Sequence, residues 1–149
     1  MHPNASTPRG PAATSRTRRK VLALINLALH AAGAPAIDHL PKGQLSSPTD
    51  CPLARALSPA GVVSAGWSWE RPHLSVCVAE VLTPAQAERL RLAWHMEAAL
   101  PGGARAELSR GWAVLPPALH QFIVSFDSRR YPDLIEWVIK CVIQADGTV

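Results

Sequence analysis

The sequence has few cysteines, no long apolar run and no heptad or internal repeat, and each absence excludes a class of protein. Three cysteines in 149 residues are too few for a disulfide scaffold, and an odd number cannot all pair within one chain. No apolar run approaches the roughly 18–20 residues that a membrane-spanning helix needs. Heptads and internal repeats are absent too, which excludes coiled coils and solenoids. The composition, 48% hydrophobic and 17% charged, is that of one globular domain.

The positive charge lies at the amino-terminal end of the chain. The net charge is +4, yet residues 21–149 hold all eleven acidic side chains and only ten of the fifteen Lys and Arg. Residues 1–20 contain no acid and are rich in Pro, Ser, Thr and Ala, a composition typical of disorder. We therefore predict a disordered basic arm over 1–20, followed by a single domain over 21–149 with loops at 33–50 and 101–111. The cations of the arm are Arg9, Arg16, Arg18, Arg19 and Lys20.

Apolar periodicity predicts an α+β fold, with about four main helices packed on a small antiparallel β-hairpin or three-stranded sheet. The helices are expected over 21–32, 84–100 and 117–126 and from 132 onward, with a short helix over 52–57. The strands are expected over 62–69 and 74–82, which would form the hairpin, and over 112–115. Proline marks several of these helix starts, and Asp50 or Cys51 would cap the short helix.

The segment 17–22 (TRRKVL) resembles the core of a twin-arginine export signal. An apolar stretch follows it, and Ala34-Pro35-Ala36 is similar to a small-residue cleavage site. The resemblance covers about the first 36 residues and implies export with cleavage near Ala36. It is incomplete, because Val21 stands where such signals usually have an aromatic residue and two polar residues interrupt the apolar stretch. The alternative is that this stretch is a core helix of a cytoplasmic protein.

Cysteine and histidine do not form a recognised metal or nucleophile pattern. His73 and Cys77 could share one face of a strand, but no Cys-x2-Cys pair and no helical His-x3-His pair accompanies them. Cys51 could be a nucleophile, because a helix start stabilises a thiolate. The neighbouring Asp50 opposes this, since a carboxylate disfavours a second negative charge. Both cysteines are therefore expected to be buried packing residues.

An enzyme would need a concave site where an acid or a thiol meets an imidazole. The groups that such a site could gather are Cys51 or Glu80 with His39, His73 or His95. Glu80 stands out because it interrupts an apolar strand; it would face outward or pair with Arg55 or Arg71. No serine nucleophile elbow, phosphate loop or dinucleotide fingerprint is present. The sequence therefore predicts no catalytic residue, no metal ligand and no cofactor.

Tryptophan is the dominant aromatic residue, with five copies against two phenylalanines and one tyrosine. Trp67 and Trp69 share one face of the predicted hairpin and Arg71 follows them, a combination that protein interfaces favour. The alternative is that this face packs on the helix over 84–100. The remaining tryptophans are predicted to lie in the core: Trp94, Trp112 and Trp137.

Elimination favours a non-enzymatic interaction or accessory domain that binds another protein. The predicted contact residues are Trp67, Trp69 and Arg71, with Arg18, Arg19 and Lys20 as an electrostatic auxiliary. The same basic arm could give weak, sequence-independent binding to nucleic acid or to an acidic surface. The frequent use of Ala, Pro and Arg is typical of a GC-rich bacterial genome.

Overall fold

A computed structural model describes residues 11–67, 77–96 and 111–137, without the side chains of residues 11–14 and of Trp67. These residues form helices Pro11–Ala31 (α1), Pro52–Ala56 (α2), Pro84–Trp94 (α3) and Pro117–Asp127 (α4) and strands Val62–Trp67 (β1), Cys77–Val81 (β2) and Gly111–Val114 (β3). Short 3-10 helices occupy Ser58–Ala60 and Pro132–Leu134. The predicted α+β class, with four helices and a three-stranded antiparallel sheet, is confirmed.

The sheet has the order β1-β2-β3, and one of its faces is buried. Alanines align across the three strands on this face, because Ala79 pairs with Ala65 on one side and with Ala113 on the other. All three are at most 2% exposed. Small residues let the helices approach closely: a Cβ built on Gly111 would lie 2.6 Å from the Cβ of Ala87 in α3. On the opposite face most of the described residues are half-buried, while Val114 is buried.

Helix α1 supplies a stripe of the hydrophobic core. Val21, Ile25, Ala28 and Leu29 recur at helical spacing and are at most 1% exposed. The helix ends where the sequence predicts, before Gly33, whose φ of +76° favours glycine. Along the described parts of the chain, no helix is both long and apolar enough to cross a membrane.

Helix α1 begins at Pro11, so its first turns include residues 11–20 of the predicted basic arm. Distant contacts hold this part of the helix. Arg18 forms an ion pair with Asp133, and its guanidinium lies over the ring of Tyr131. No apolar stripe marks these turns in the sequence, so the pattern missed them. Residues 1–10 lie outside the described part of the chain.

Two helix starts follow the predicted capping chemistry. The Cys51 sulfur accepts a hydrogen bond from the Ala54 N–H at the start of α2. Thr83 and Gln86 form a reciprocal capping box at the start of α3. Helix α3 ends at Trp94, earlier than predicted, because His95 has a φ of +57° and closes the helix in the left-handed conformation. The predicted continuation over 97–100 lies outside the described residues.

The predicted helix from 132 onward is wrong over residues 135–137. After the 3-10 turn Pro132–Leu134, the backbone of Ile135 is extended and pairs with the loop at Gly43. The Gly43 N–H donates to the Leu134 carbonyl at 2.8 Å, and the Glu136 N–H donates to the Gly43 carbonyl at 2.7 Å. These bonds satisfy backbone groups that a helix would otherwise use. The continuation over 138–149 lies outside the described residues.

The predicted loop 33–50 is irregular, as expected, and is anchored at both ends. Asn26 of α1 binds the backbone of Ile37 twice, through its side-chain oxygen at 2.9 Å and its nitrogen at 3.0 Å. Asp127 accepts a hydrogen bond from the Ser46 N–H at 3.0 Å. The loop therefore connects α1, the end of α4 and the final extended segment.

Candidate functional site

The predicted aromatic face of the hairpin falls largely outside the described residues. Trp69 and Arg71 lie in the undescribed segment 68–76. The backbone of Trp67 ends β1, where it pairs with Cys77. The hairpin itself is present as the antiparallel pair β1–β2, while its proposed contact face stays a prediction.

The basic residues of α1 divide into one engaged and three exposed side chains. Arg18 is committed to Asp133, whose hydrogen bond raises the pKa of the guanidinium. Arg16, Arg19 and Lys20 are exposed on the same helix. The predicted electrostatic auxiliary therefore lies, over these residues, on the surface of a helix.

An exposed tryptophan lies beside two arginines at the end of the described chain. Trp137 is 61% exposed, and the guanidinium carbon of Arg129 lies 5.6 Å from the centroid of its ring. Arg130 is exposed next to them. We call Arg129, Arg130 and Trp137 the Arg–Trp patch. An arginine over a tryptophan face is a cation–π arrangement, and both residue types are enriched in interface hot spots.

The core prediction for Trp137 is thus wrong, whereas the one for Trp94 is right. Trp94 is 5% exposed, and its indole N–H donates to the Leu24 carbonyl at 2.9 Å. Trp112 is half-buried, with the guanidinium of Arg91 over its ring. Trp137 differs because the helix that would have turned it inward is not formed there. Sequence reasoning missed this site; the turn residues 128–130 before it were the available signal.

A cleft of about 340 Å³ lies between the loop 46–48, strand β1 and the end of α4. Its floor is apolar and almost fully buried: Cys51, Ala65 and Ile123 are each at most 4% exposed. Its rim carries the exposed carboxylate of Asp127. The described residues that line it are Ser46, Ser47, Pro48, Cys51, Ala65, Gly66, Ile123 and Asp127.

The thiol in this cleft is protonated rather than activated. Burial raises the pKa of Cys51, and the charge of Asp127 raises it further. Burial also raises the pKa of Cys77 to about 11, with added contributions from Asp127 and Cys51. No histidine is among the described lining residues. The nucleophile hypothesis for Cys51 therefore lacks both a lowered pKa and an adjacent base.

The other candidate acid–base groups do not converge within the described residues. Glu80 is half-buried and accepts a hydrogen bond from the Ser64 hydroxyl at 3.3 Å. Arg55 pairs with Glu136 at 2.9 Å, so it is not the partner of Glu80. His39 is bonded to the neighbouring carboxylate of Asp38 on the surface. His73, which was predicted to share a strand face with Cys77, lies outside the described segments.

Over residues 11–67, 77–96 and 111–137, no group of three or more His, Cys, Asp or Glu could hold a metal ion. A shallower depression surrounds His39 and Arg55.

Comparison with known protein families, with curated proteins and with solved structures finds no match to this chain.

Proposed function

We propose that this chain is a small non-enzymatic interaction domain that binds another protein through the Arg–Trp patch. The observation that carries the proposal is the 61% exposure of Trp137 beneath the Arg129 guanidinium. Exposing an indole to water is unfavourable, and covering it is worth about 2 kcal/mol or more at interface hot spots. The arrangement therefore favours a partner that covers the ring.

The charge of the patch defines the partner's chemistry. Arg129 and Arg130 are exposed neighbours, and neither takes part in an ion pair within the described segments. A guanidinium that stacks on an aromatic ring keeps its N–H donors at the edge free for a carboxylate. We infer that the partner presents an acidic surface with an apolar centre. The hairpin residues Trp67, Trp69 and Arg71 remain a second proposed contact surface.

Packing of α1 supports a cytoplasmic location over export. Cleavage near Ala36 would remove the whole of α1 and, with it, four side chains from the core. A signal segment is removed without such a loss, since the mature domain folds without it. Arg18 of the twin-arginine pattern is also engaged in an internal ion pair.

Nucleic-acid binding is weaker as an alternative, because the three exposed cations of α1 would give only salt-sensitive, sequence-independent contacts.

A site-specific photocrosslinking experiment tests the proposal. A photoreactive amino acid replaces Ser128, which is exposed beside the patch, and a second version replaces Leu82, which is 55% exposed elsewhere. We expect one protein to be captured from position 128 and not from 82. With that protein purified, Trp137→Ala should weaken binding about tenfold or more, while Leu82→Ala leaves it unchanged. Equal capture at both positions, or equal affinity of Trp137→Ala and the wild type, would refute it.

A further inference from the structure

We propose that the cleft at Cys51 binds an alkylammonium group, with the alkyl chain on the apolar floor and the cation at Asp127. This site is separate from the Arg–Trp patch and goes beyond the proposed protein-binding function. The ligand class is defined by its chemistry, namely a primary amine on a short aliphatic chain. Such a group is carried either by a free amine or by the side chain of a lysine, which has a four-carbon stem.

The interior of the cleft suits a hydrocarbon chain. Cys51, Ala65 and Ile123 form a floor that is at most 4% exposed, and Pro48 and Gly66 complete the apolar wall. Transfer of methylene groups from water onto such a floor is favourable by about 0.8 kcal/mol each when burial is complete. The volume of about 340 Å³ is at the small end of ligand pockets. It is therefore large enough for a short alkyl chain and its head group.

The rim of the cleft carries negative charge that no described side chain neutralises. Asp127 takes part in none of the ion pairs over residues 11–67, 77–96 and 111–137. Its Oδ1 accepts one hydrogen bond, from the Ser46 N–H. Arg129, the arginine nearest to Asp127 in sequence, lies over the ring of Trp137. The carboxylate therefore retains acceptor sites for an incoming ammonium group.

Asp127 also stands where an acid is least favourable for the helix itself. It is the last residue of α4, and no basic residue occupies the last turn of that helix. The carboxyl end of a helix carries partial negative charge, so an acid there is repelled and a cation is attracted. A residue that breaks a local stability rule in this way is typical of a binding site. The helix end and the carboxylate together favour a cation at the rim.

The electrostatic reach of Asp127 extends to the floor of the cleft. Its charge raises the pKa of both Cys51 and Cys77, in addition to the larger effect of burial. By the same coupling, a cation bound between Asp127 and the floor should lower both thiol pKa values.

A titration of the full-length, 15N-labelled protein with n-butylammonium, n-butanol and butyrate at pH 7 and constant ionic strength tests the site. The three probes share an alkyl chain and differ in head-group charge. We expect saturable amide shifts at Ser46, Gly66 and Asp127 with the ammonium, and about tenfold weaker binding of the other two, as for a charge-assisted hydrogen bond. An Nα-acetylated lysine amide tested in parallel distinguishes a lysine side chain from a free amine as the source.

Two variants and one control complete the experiment. Asp127→Asn should reduce the affinity for butylammonium to that for butanol. Gly66→Val adds bulk to the wall next to Pro48 and should also weaken binding. Asp38→Asn, which removes an exposed carboxylate outside the cleft, should change nothing. The proposal is overturned if butylammonium gives no saturable shifts at the cleft, or if Asp127→Asn binds it as tightly as the wild type while its spectrum shows a native fold.

Discussion

Arg18 and Asp133 form a two-point ion pair that joins the first helix to the last described segment across 115 residues. Nη1 of Arg18 lies 2.8 Å from Oδ2 of Asp133, and Nη2 lies 2.6 Å from Oδ1. The guanidinium also lies 5.0 Å from the centroid of the Tyr131 ring. Bidentate geometry on an aromatic platform is specific to arginine. This contact joins the basic part of α1 to the final described segment.

Replacing either partner of this ion pair should destabilise the fold slightly. The side chains are 30% and 58% exposed, so solvent limits the coupling free energy to about 0.5–1 kcal/mol. Arg18→Ala should cost more than Asp133→Asn, because it also removes the contact with Tyr131. Urea denaturation of the wild type, both single variants and the double variant at pH 7 measures the coupling. A coupling free energy of zero would show that the Arg18–Asp133 ion pair does not stabilise the fold.

The same pair predicts a loss of stability in acid. The hydrogen bond from Arg18 lowers the pKa of Asp133 in the folded protein. The unfolded chain therefore binds a proton first as the pH falls, so the contribution is complete above about pH 5 and disappears as the pH passes through the folded pKa. Asp133→Asn has no such contribution to lose. The difference in unfolding free energy between wild type and variant should shrink between about pH 5 and pH 2, as measured by urea titrations at each pH.

Removal of residues 1–36 should abolish folding. This truncation takes away Ile25 and three other fully buried core residues of α1. Removal of residues 1–10 leaves α1 whole and should preserve the fold. Within the intact chain, Ile25→Ala should cost about 2–5 kcal/mol, whereas Leu27→Ala, at a position 48% exposed, should cost less than about 0.5 kcal/mol. Circular dichroism and urea denaturation check both comparisons; a stably folded 37–149 fragment would revive the export interpretation.

The two buried thiols should make the fold less stable in alkali. The folded pKa of Cys77 is raised to about 11, and that of Cys51 is raised as well. Between the unfolded thiol pKa of about 8.5 and the folded value, the unfolded state loses protons that the native state keeps, so stability falls as pH rises. Cys77→Ala should flatten this dependence. Absorbance titration at 240 nm in a Cys141→Ser background should show no thiolate from Cys77 at pH 9.

Replacement of Gly111 by alanine should destabilise the fold, whereas replacement of Gly66 should not. A Cβ on Gly111 would lie 2.5 Å from the Thr83 carbonyl oxygen, a backbone atom that cannot turn away. A Cβ on Gly66 would lie 3.5 Å from its nearest neighbour, the Cβ of Pro48. Gly111→Ala should therefore cost about 1–3 kcal/mol through overpacking, and Gly66→Ala should be close to neutral. Thermal denaturation of the two variants is the measurement, and similar melting temperatures would contradict the packing of α3 on β3.

Much of the secondary structure could be predicted from interactions between residues that are close in sequence. Prolines at first helical positions and the glycine after α1 act on residues close in sequence, so the starts of α2, α3 and α4 and the end of α1 were predicted correctly. Partial alternation of apolar residues likewise predicted β1, because a half-buried strand has a period of two, and a β-rich apolar run predicted β2.

Contacts between distant residues account for what the sequence pattern left open. Arg18 in α1 pairs with Asp133, and the extended backbone at Ile135 pairs with Gly43; neither partner is a neighbour in sequence. The exposure of Trp137 follows from that extended backbone, and the cleft exists because a loop, a strand edge and a helix end meet around Cys51. Propensity and periodicity describe one segment at a time, whereas a surface or a cavity is formed by several segments at once, and its position depends on how they pack.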